Sequence, residues 1–598
     1  MVEHDLIDLL SLNERSELVS LISKITEAMR SRLDVVFNSK ERKSRLMAMS
    51  QRNPNLPETT EDRRPASPIR LEGTINKTPD VNTIEREVSS KLLEIKPAAL
   101  GDFDRWQEAL FHRIIETIYK EEGPSETADI KTDHSGDQLP RDPLKHWLPR
   151  IETPLAHTVN SQKRPLIIHA IILLSISLET YDPRSRVLLL QLCNSLNVPV
   201  SVLLQQESAT AHILIVSAQS QANQNTSRPS LPSNNQLNAD SYVKQRDNEG
   251  LATRRWKIGL ATVGGALLVG VTGGLAAPLV AAGLGTLLGG IGLGGTVAAG
   301  YLGAMAASAP LVGGLFGAYG GKLSGDMMKR YAQEVNDFAF LPLNPKLESK
   351  LRVTVCVSGW LTKESQITSP WVSFNEYSNV YALRWEMQAL LDLGSALDTF
   401  VKQYAIGYIK SEVIKRTVLA SLWSALWPIG LLKFAQVVDN PFSIAKTRAE
   451  KAGLVLADAI IHRAQGKRPV TLVGYSLGAR LIYSCLMSLA ERKAFGLLDT
   501  VVLMGAPVPS ATESWALMRS VVSGRLVNVY CADDWVLGFL YRTSAIQLGV
   551  AGLQEVEGVE GVENFDAGHI IDGHMKYADS VNQILISILD ADLYKPTP

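Results

Sequence analysis

Ser476 lies within Gly474-Tyr475-Ser476-Leu477-Gly478, a G-x-S-x-G sequence. A serine so placed is a nucleophile when a base stands within reach of its hydroxyl. The motif alone is a weak signal, but its setting is informative. Val470-Thr471-Leu472-Val473 has the length and β-branching of a buried strand, and after Ser476 the apolar spacing becomes that of a helix. A glycine-flanked turn between strand and helix lifts the hydroxyl above the sheet edge. It also sets the backbone N–H of Leu477 at a helix N-terminus, where it can stabilise an oxyanion.

The partners of such a serine follow in the order acid, then histidine. The run Arg525–Cys531 reads as a strand and ends in Ala532-Asp533-Asp534-Trp535, which offers two carboxylates for the orienting acid. Gly568-His569-Ile570-Ile571-Asp572-Gly573-His574 offers two histidines just before a final amphipathic helix. On position alone either aspartate and either histidine qualifies. A second oxyanion donor is expected after the strand Val353–Val357, where Ser358-Gly359-Trp360-Leu361 makes the backbone N–H of Trp360 or Leu361 the candidate. Ser358 stands where many such enzymes carry histidine.

These residues require a sheet to carry them. From about Lys350 the pattern alternates: strands at 353–357, 380–383, 470–473, 500–504 and 526–531, and helices at 477–491, 513–522 and 575–589. That alternation predicts an α/β fold with a mostly parallel sheet, helices on both faces and the chemistry at the carboxyl ends of the strands. Thr417–Val438, with Trp423, Trp427 and Pro428, reads as a kinked apolar helix between strands.

Upstream, 1–86 reads as an amphipathic helix followed by a disordered stretch, 87–216 as a helical domain and 217–250 as a Ser/Gln/Asn-rich linker. His169, inside the very apolar Leu166–Leu174, reads as a buried, hydrogen-bonded histidine. Residues 251–330 are the most unusual. Between Lys257 and Lys322 there is no Asp, Glu, Lys, Arg or His, and glycine supplies roughly a third of the residues against an average of about 7%. A bilayer span needs about 20 residues, and small residues four apart let such helices pack closely. Basic residues flank both ends, which predicts a transmembrane hairpin, Ile258–Gly283 and Thr296–Gly321, with both termini and the 331–598 domain cytosolic. The four cysteines form no C-x-x-C pair and read as small buried hydrophobes of a reducing compartment. The net charge of -1 argues against nucleic acid as a partner. The sequence calls for no metal or cofactor.

The stretches VDNPFSIAKTRAEKAGLVLADAIIHRAQGKRPVTLVGYSLGARLIYSCLMSLA and VYCADDWVLGFLYR closely resemble the transmembrane and coiled-coil domain-containing protein four family, over about Leu166–Leu589. The resemblance implies an α/β-hydrolase fold on an intracellular membrane. Its D-W-V-L and G-H-x-x-Y patterns match Asp534–Leu537 and Gly573–Tyr577, which favours Asp534 and His574 over Asp533 and His569. The expectation is a membrane-anchored serine hydrolase acting on a lipid or acyl ester through Ser476, His574 and Asp534. The rival is a silent hydrolase-like scaffold that recruits trafficking or membrane partners.

Overall fold

A computed structural model of the chain describes residues 10–38, 81–118, 147–225, 309–316, 335, 337–343, 350–372, 377–408, 429–541 and 549–588. Its centre is a seven-stranded sheet in the order β1-β3-β2-β4-β5-β6-β7. The strands are β1 (Ala339–Pro342), β2 (Val353–Val357), β3 (Asn379–Arg384), β4 (Val470–Tyr475), β5 (Leu498–Met504), β6 (Leu526–Tyr530) and β7 (Val562–Asp566). All neighbours run parallel except β1, which pairs antiparallel with β3. All five residues of β2 are buried, as expected of a central parallel strand covered on both faces. The register Val357↔Gly474 and Tyr475↔Met504 brings the carboxyl ends of β2, β4 and β5 to one level.

The helix Leu477–Glu491 lies close beside Ile429–Ile461. A Cβ on Gly453 would come within 2.4 Å of the Leu481 carbonyl oxygen, so only glycine permits this approach.

The N-terminal helices join this body. Leu12–Phe37 begins at a capping box formed by Ser11 and Glu14. The next helix runs Val81–Ile118, through the expected boundary at Arg86. Val36, Phe37, Leu92, Ile95 and Ala99 enter the same core as the sheet. A second core joins these two helices to Arg164–Ile176, Pro183–Ser195 and Val200–Asn225. His169 is buried there as expected. Neither of its ring nitrogens has a hydrogen-bond partner among the described residues, which corrects the expectation that it is bonded.

Among the described residues no helix is long and apolar enough to cross a membrane. The expected span Ile258–Gly283 lies outside them, as do residues 39–80 and 409–428. Of the second expected span, Thr296–Gly321, the structure describes Ala309–Phe316. This short helix is packed on protein, with Leu315 and Phe316 buried in the second core. The Lys467 N–H donates to the Gly314 carbonyl at 3.0 Å, and the Arg468 guanidinium lies over the Phe316 ring.

Candidate active site

The turn after β4 holds Ser476 at φ 53° and ψ -126°, a conformation costly for a side chain with a Cβ. The surrounding backbone over-determines it. The Ser476 N–H donates to the Met504 carbonyl at 2.9 Å. Cβ atoms on Gly478 and Gly359 would lie 2.1 Å from the carbonyl oxygens of Val357 and Tyr475 respectively, so the turn and the β2 loop touch backbone to backbone.

The Ser476 Oγ is 2.7 Å from His574 Nε2, and His574 Nδ1 is 2.7 Å from Asp534 Oδ2. All three residues are buried. A histidine donating Nδ1–H to a carboxylate presents a lone pair on Nε2, where the serine proton can go. Asp534 is itself fixed. Its Oδ1 accepts the Leu537 N–H at 3.0 Å and so caps the helix Trp535–Leu540. Gly573, at φ 148° and ψ 173°, takes a backbone conformation essentially reserved for glycine and turns the chain into His574. The ring of Tyr577 lies edge-on to His574 at 5.8 Å. Gly505, at φ 51°, leaves room for that ring, since a Cβ there would come within 2.5 Å of it.

The two alternates stand apart from this relay. Asp533 is exposed, and His569 is exposed with its ring against Phe565.

The oxyanion candidates divide. Leu477 is the first residue of its helix, so its N–H has no intrahelical acceptor. A Cβ on Gly359 would lie 2.6 Å from that nitrogen, which puts the β2 loop directly against it. Leu361 is corrected: its N–H donates to the Leu390 carbonyl at 3.1 Å and is unavailable to substrate. Trp360 is the candidate left on that loop. Ser358, in place of the histidine common at that point, is pinned. Its hydroxyl donates to the Gln366 carbonyl and accepts from Trp371 Nε1, and its carbonyl accepts from Trp385 Nε1. Sequence reasoning missed these two tryptophan anchors, which lie 13 and 27 residues away.

A family profile described as "Protein of unknown function (DUF726)" matches residues 252–589, more than half of the chain. The chain belongs to the DUF726 family. Ser476, Asp534, His574, Leu477 and Trp360 all fall inside the matched DUF726 region. Among curated relatives, the chain is 42% identical over 292 residues to the "Uncharacterized membrane protein C6F6.13c" of Schizosaccharomyces pombe, covering 48% of this chain and 50% of that one. It is 38% identical over 304 residues to the "Transmembrane and coiled-coil domain-containing protein STS1" of Oryza sativa, covering 50% and 45%. It is 36% identical over 285 residues to the "Probable lipase MIL1" of Saccharomyces cerevisiae, covering 47% and 26%. The match thus spans half or less of these relatives. No solved structure matches the chain.

Proposed function

We propose that the chain is a membrane-associated serine hydrolase of the α/β-hydrolase type, acting on a carboxylic ester of a lipid or other acyl compound. One observation carries this reading: the unbroken 2.7 Å relay from Ser476 through His574 to Asp534, set on a strained turn at the carboxyl end of a central parallel strand.

The chemistry follows from that relay. The Ser476 Oγ attacks the ester carbonyl while His574 Nε2 takes its proton. Asp534 holds the imidazole in the Nδ1–H tautomer and stabilises the imidazolium that forms. The N–H groups of Leu477 and Trp360 meet the oxygen that becomes negative. His574 returns the proton to the departing alcohol, and a water activated by the same nitrogen then releases the acid from the serine ester.

The strand order and the name of the yeast relative support a lipase-like reading. The names of the fission-yeast and rice relatives support association with a membrane. The rice relative's name also supports the resemblance to the transmembrane and coiled-coil family. The anchor we propose is a glycine-rich hairpin within residues 258–308, in place of the bounds expected from sequence, because those 51 uncharged residues hold two spans of about 20 and a turn, whereas Ala309–Phe316 packs on protein. Both termini and the sheet would lie on the cytosolic side of an intracellular membrane. Glycosylation acceptors placed at Gly292 and after Pro598 test this: modification of the C-terminal tag rejects it.

The test of function is a fluorophosphonate probe, which bonds to an activated serine without needing the substrate. The full chain in detergent should label, and Ser476→Ala should not. A folded wild type that never labels would leave the scaffold reading in place.

A further inference from the structure

The helices Ile429–Ile461 and Leu477–Glu491 run side by side in the same direction. Glu450 Oε1 bonds Arg480 Nη2 at 2.7 Å, Gly453 meets Leu481, and Asp458 bonds Arg492. One turn before Glu450, Lys446 therefore stands level with Ser476, one turn before Arg480 on its own helix. The Arg480 N–H bonds the Ser476 carbonyl at 3.1 Å.

Lys446 is half-buried, and its ammonium lies 5.2 Å from the centroid of the Tyr541 ring. Tyr541 ends the helix that Asp534 caps, and its hydroxyl accepts from Arg480 Nη1 at 3.4 Å. Arg480 Nη1 also donates to the Pro507 carbonyl at 3.2 Å, and Arg480 Nε has no partner among the described residues. Two cations thus share one carboxylate, Glu450, whose bond goes to Arg480. Among the described residues no carboxylate pairs with Lys446. Burial and then Arg480 push the Lys446 pKa down, against a smaller opposing pull from Glu450. A nearby anion would relieve both effects.

We propose that Lys446, Arg480 and Tyr541 bind the phosphate of a phospholipid, so that the ester presented to Ser476 belongs to a phosphate-bearing lipid. This rests on the hydrolase reading for the use of the site, but the binding is testable without turnover. An ammonium on an aromatic face beside a fixed guanidinium suits a phosphate oxygen, whereas a neutral glyceride would leave the Lys446 charge unanswered.

The probe is a fluorescent dialkyl glycerophosphate, which has ether chains and no ester to cleave. Its binding to the full chain in neutral detergent is read by anisotropy beside the matching dialkyl glycerol without phosphate. The phosphate lipid should bind the wild type more tightly. Lys446→Met, which keeps the apolar stem, should weaken that lipid by about tenfold or more and the glycerol little. Lys446→Arg should keep the preference, which guards against a variant that merely folds poorly. Equal binding of the two lipids by wild type, or wild-type affinity in Lys446→Met, overturns the proposal. Displacement by inorganic phosphate at the lipid's own concentration overturns it too, because the site would then hold free phosphate. Fluorophosphonate labelling of the same sample keeps the two readings apart. Labelling without phosphate preference rejects the subsite alone, and absence of labelling rejects the hydrolase.

Discussion

Two buried polar constellations sit at opposite ends of the same sheet. At the carboxyl ends, Ser476, His574 and Asp534 form a hydrogen-bonded chain that begins on the strained backbone of Ser476. At the amino ends, Arg186 Nη1 bonds Asp499 Oδ2 at 2.9 Å and Arg186 Nε bonds Glu207 Oε1 at 3.2 Å. The Tyr181 hydroxyl donates to the same Glu207 oxygen at 2.5 Å. Arg352 Nε stands 3.3 Å from Glu207 Oε2, close enough to attract but outside hydrogen-bond geometry. Both clusters bury carboxylates against bases. The difference is the base: guanidinium keeps its proton at any working pH, while imidazole exchanges it. The first arrangement can move a proton to a substrate. The second ties the helices carrying Arg186 and Glu207 to β5 and to the entry of β2.

Removing the nucleophile breaks that contrast most severely. Ser476→Ala or His574→Ala should lower kcat by on the order of 10⁶, the loss seen when a serine-protease triad member is deleted. Circular dichroism should show the fold intact. Activity persisting near wild type would place the chemistry elsewhere.

Asp534→Asn should follow at about 10⁴, since it keeps the shape but favours the wrong imidazole tautomer. Asp533→Asn and His569→Ala should retain most of the activity, because both side chains are exposed and outside the relay. A reversed ranking in steady-state rates would undo the assignment of acid and base.

At the other end of the sheet the effect should be on stability. Arg186→Met leaves Glu207 and Asp499 as buried charges short of a partner, and should cost about 3–5 kcal/mol of folding free energy. Thermal unfolding of the full chain would show it as a large drop in midpoint. Labelling per folded molecule should persist below the transition, because Arg186 touches no residue of the relay. Equal loss of labelling at low temperature would mean that the two ends are coupled.

The same contrast governs what was legible in the sequence. The nucleophile was readable because its parts are local, a strand, a glycine-flanked turn and a helix adjacent in the chain, whereas its histidine, 98 positions on, was found by the order in which such partners follow. The choice of Asp534 over Asp533 rested on resemblance, although the N-cap before Trp535–Leu540 was a physical signal for it. The Leu361 error arose because its N–H is met by a carbonyl 29 residues downstream, in a helix whose packing no spacing reveals. The edge strands β1 and β7 were missed for a related reason. Their residues are half-buried or exposed, so Val562-Glu563-Asn564-Phe565-Asp566 lacks the apolar run that marks a central strand. The amino-end cluster was invisible, since it joins residues up to 313 positions apart.

The smallest expected effect compares two buried histidines. His574 has both ring nitrogens bonded, one to Asp534 and one to Ser476. His169, in the second core, has neither bonded among the described residues, and burial lowers its pKa from 6.5 to about 4. Between those values the unfolded chain takes up a proton that the folded chain refuses. The contribution of His169 is therefore fully present above about pH 6.5 and is lost as pH falls toward 4, about 2 kcal/mol of it by pH 5. His169→Leu removes this titration while filling much of the same apolar volume. The fall in unfolding midpoint between pH 7.5 and pH 5 should therefore be smaller in the variant than in wild type. Carboxylates that titrate in the same range contribute equally to both proteins, so the difference isolates the one ring. An identical fall in both would mean that His169 gains a proton as readily folded as unfolded, through a partner outside the described residues.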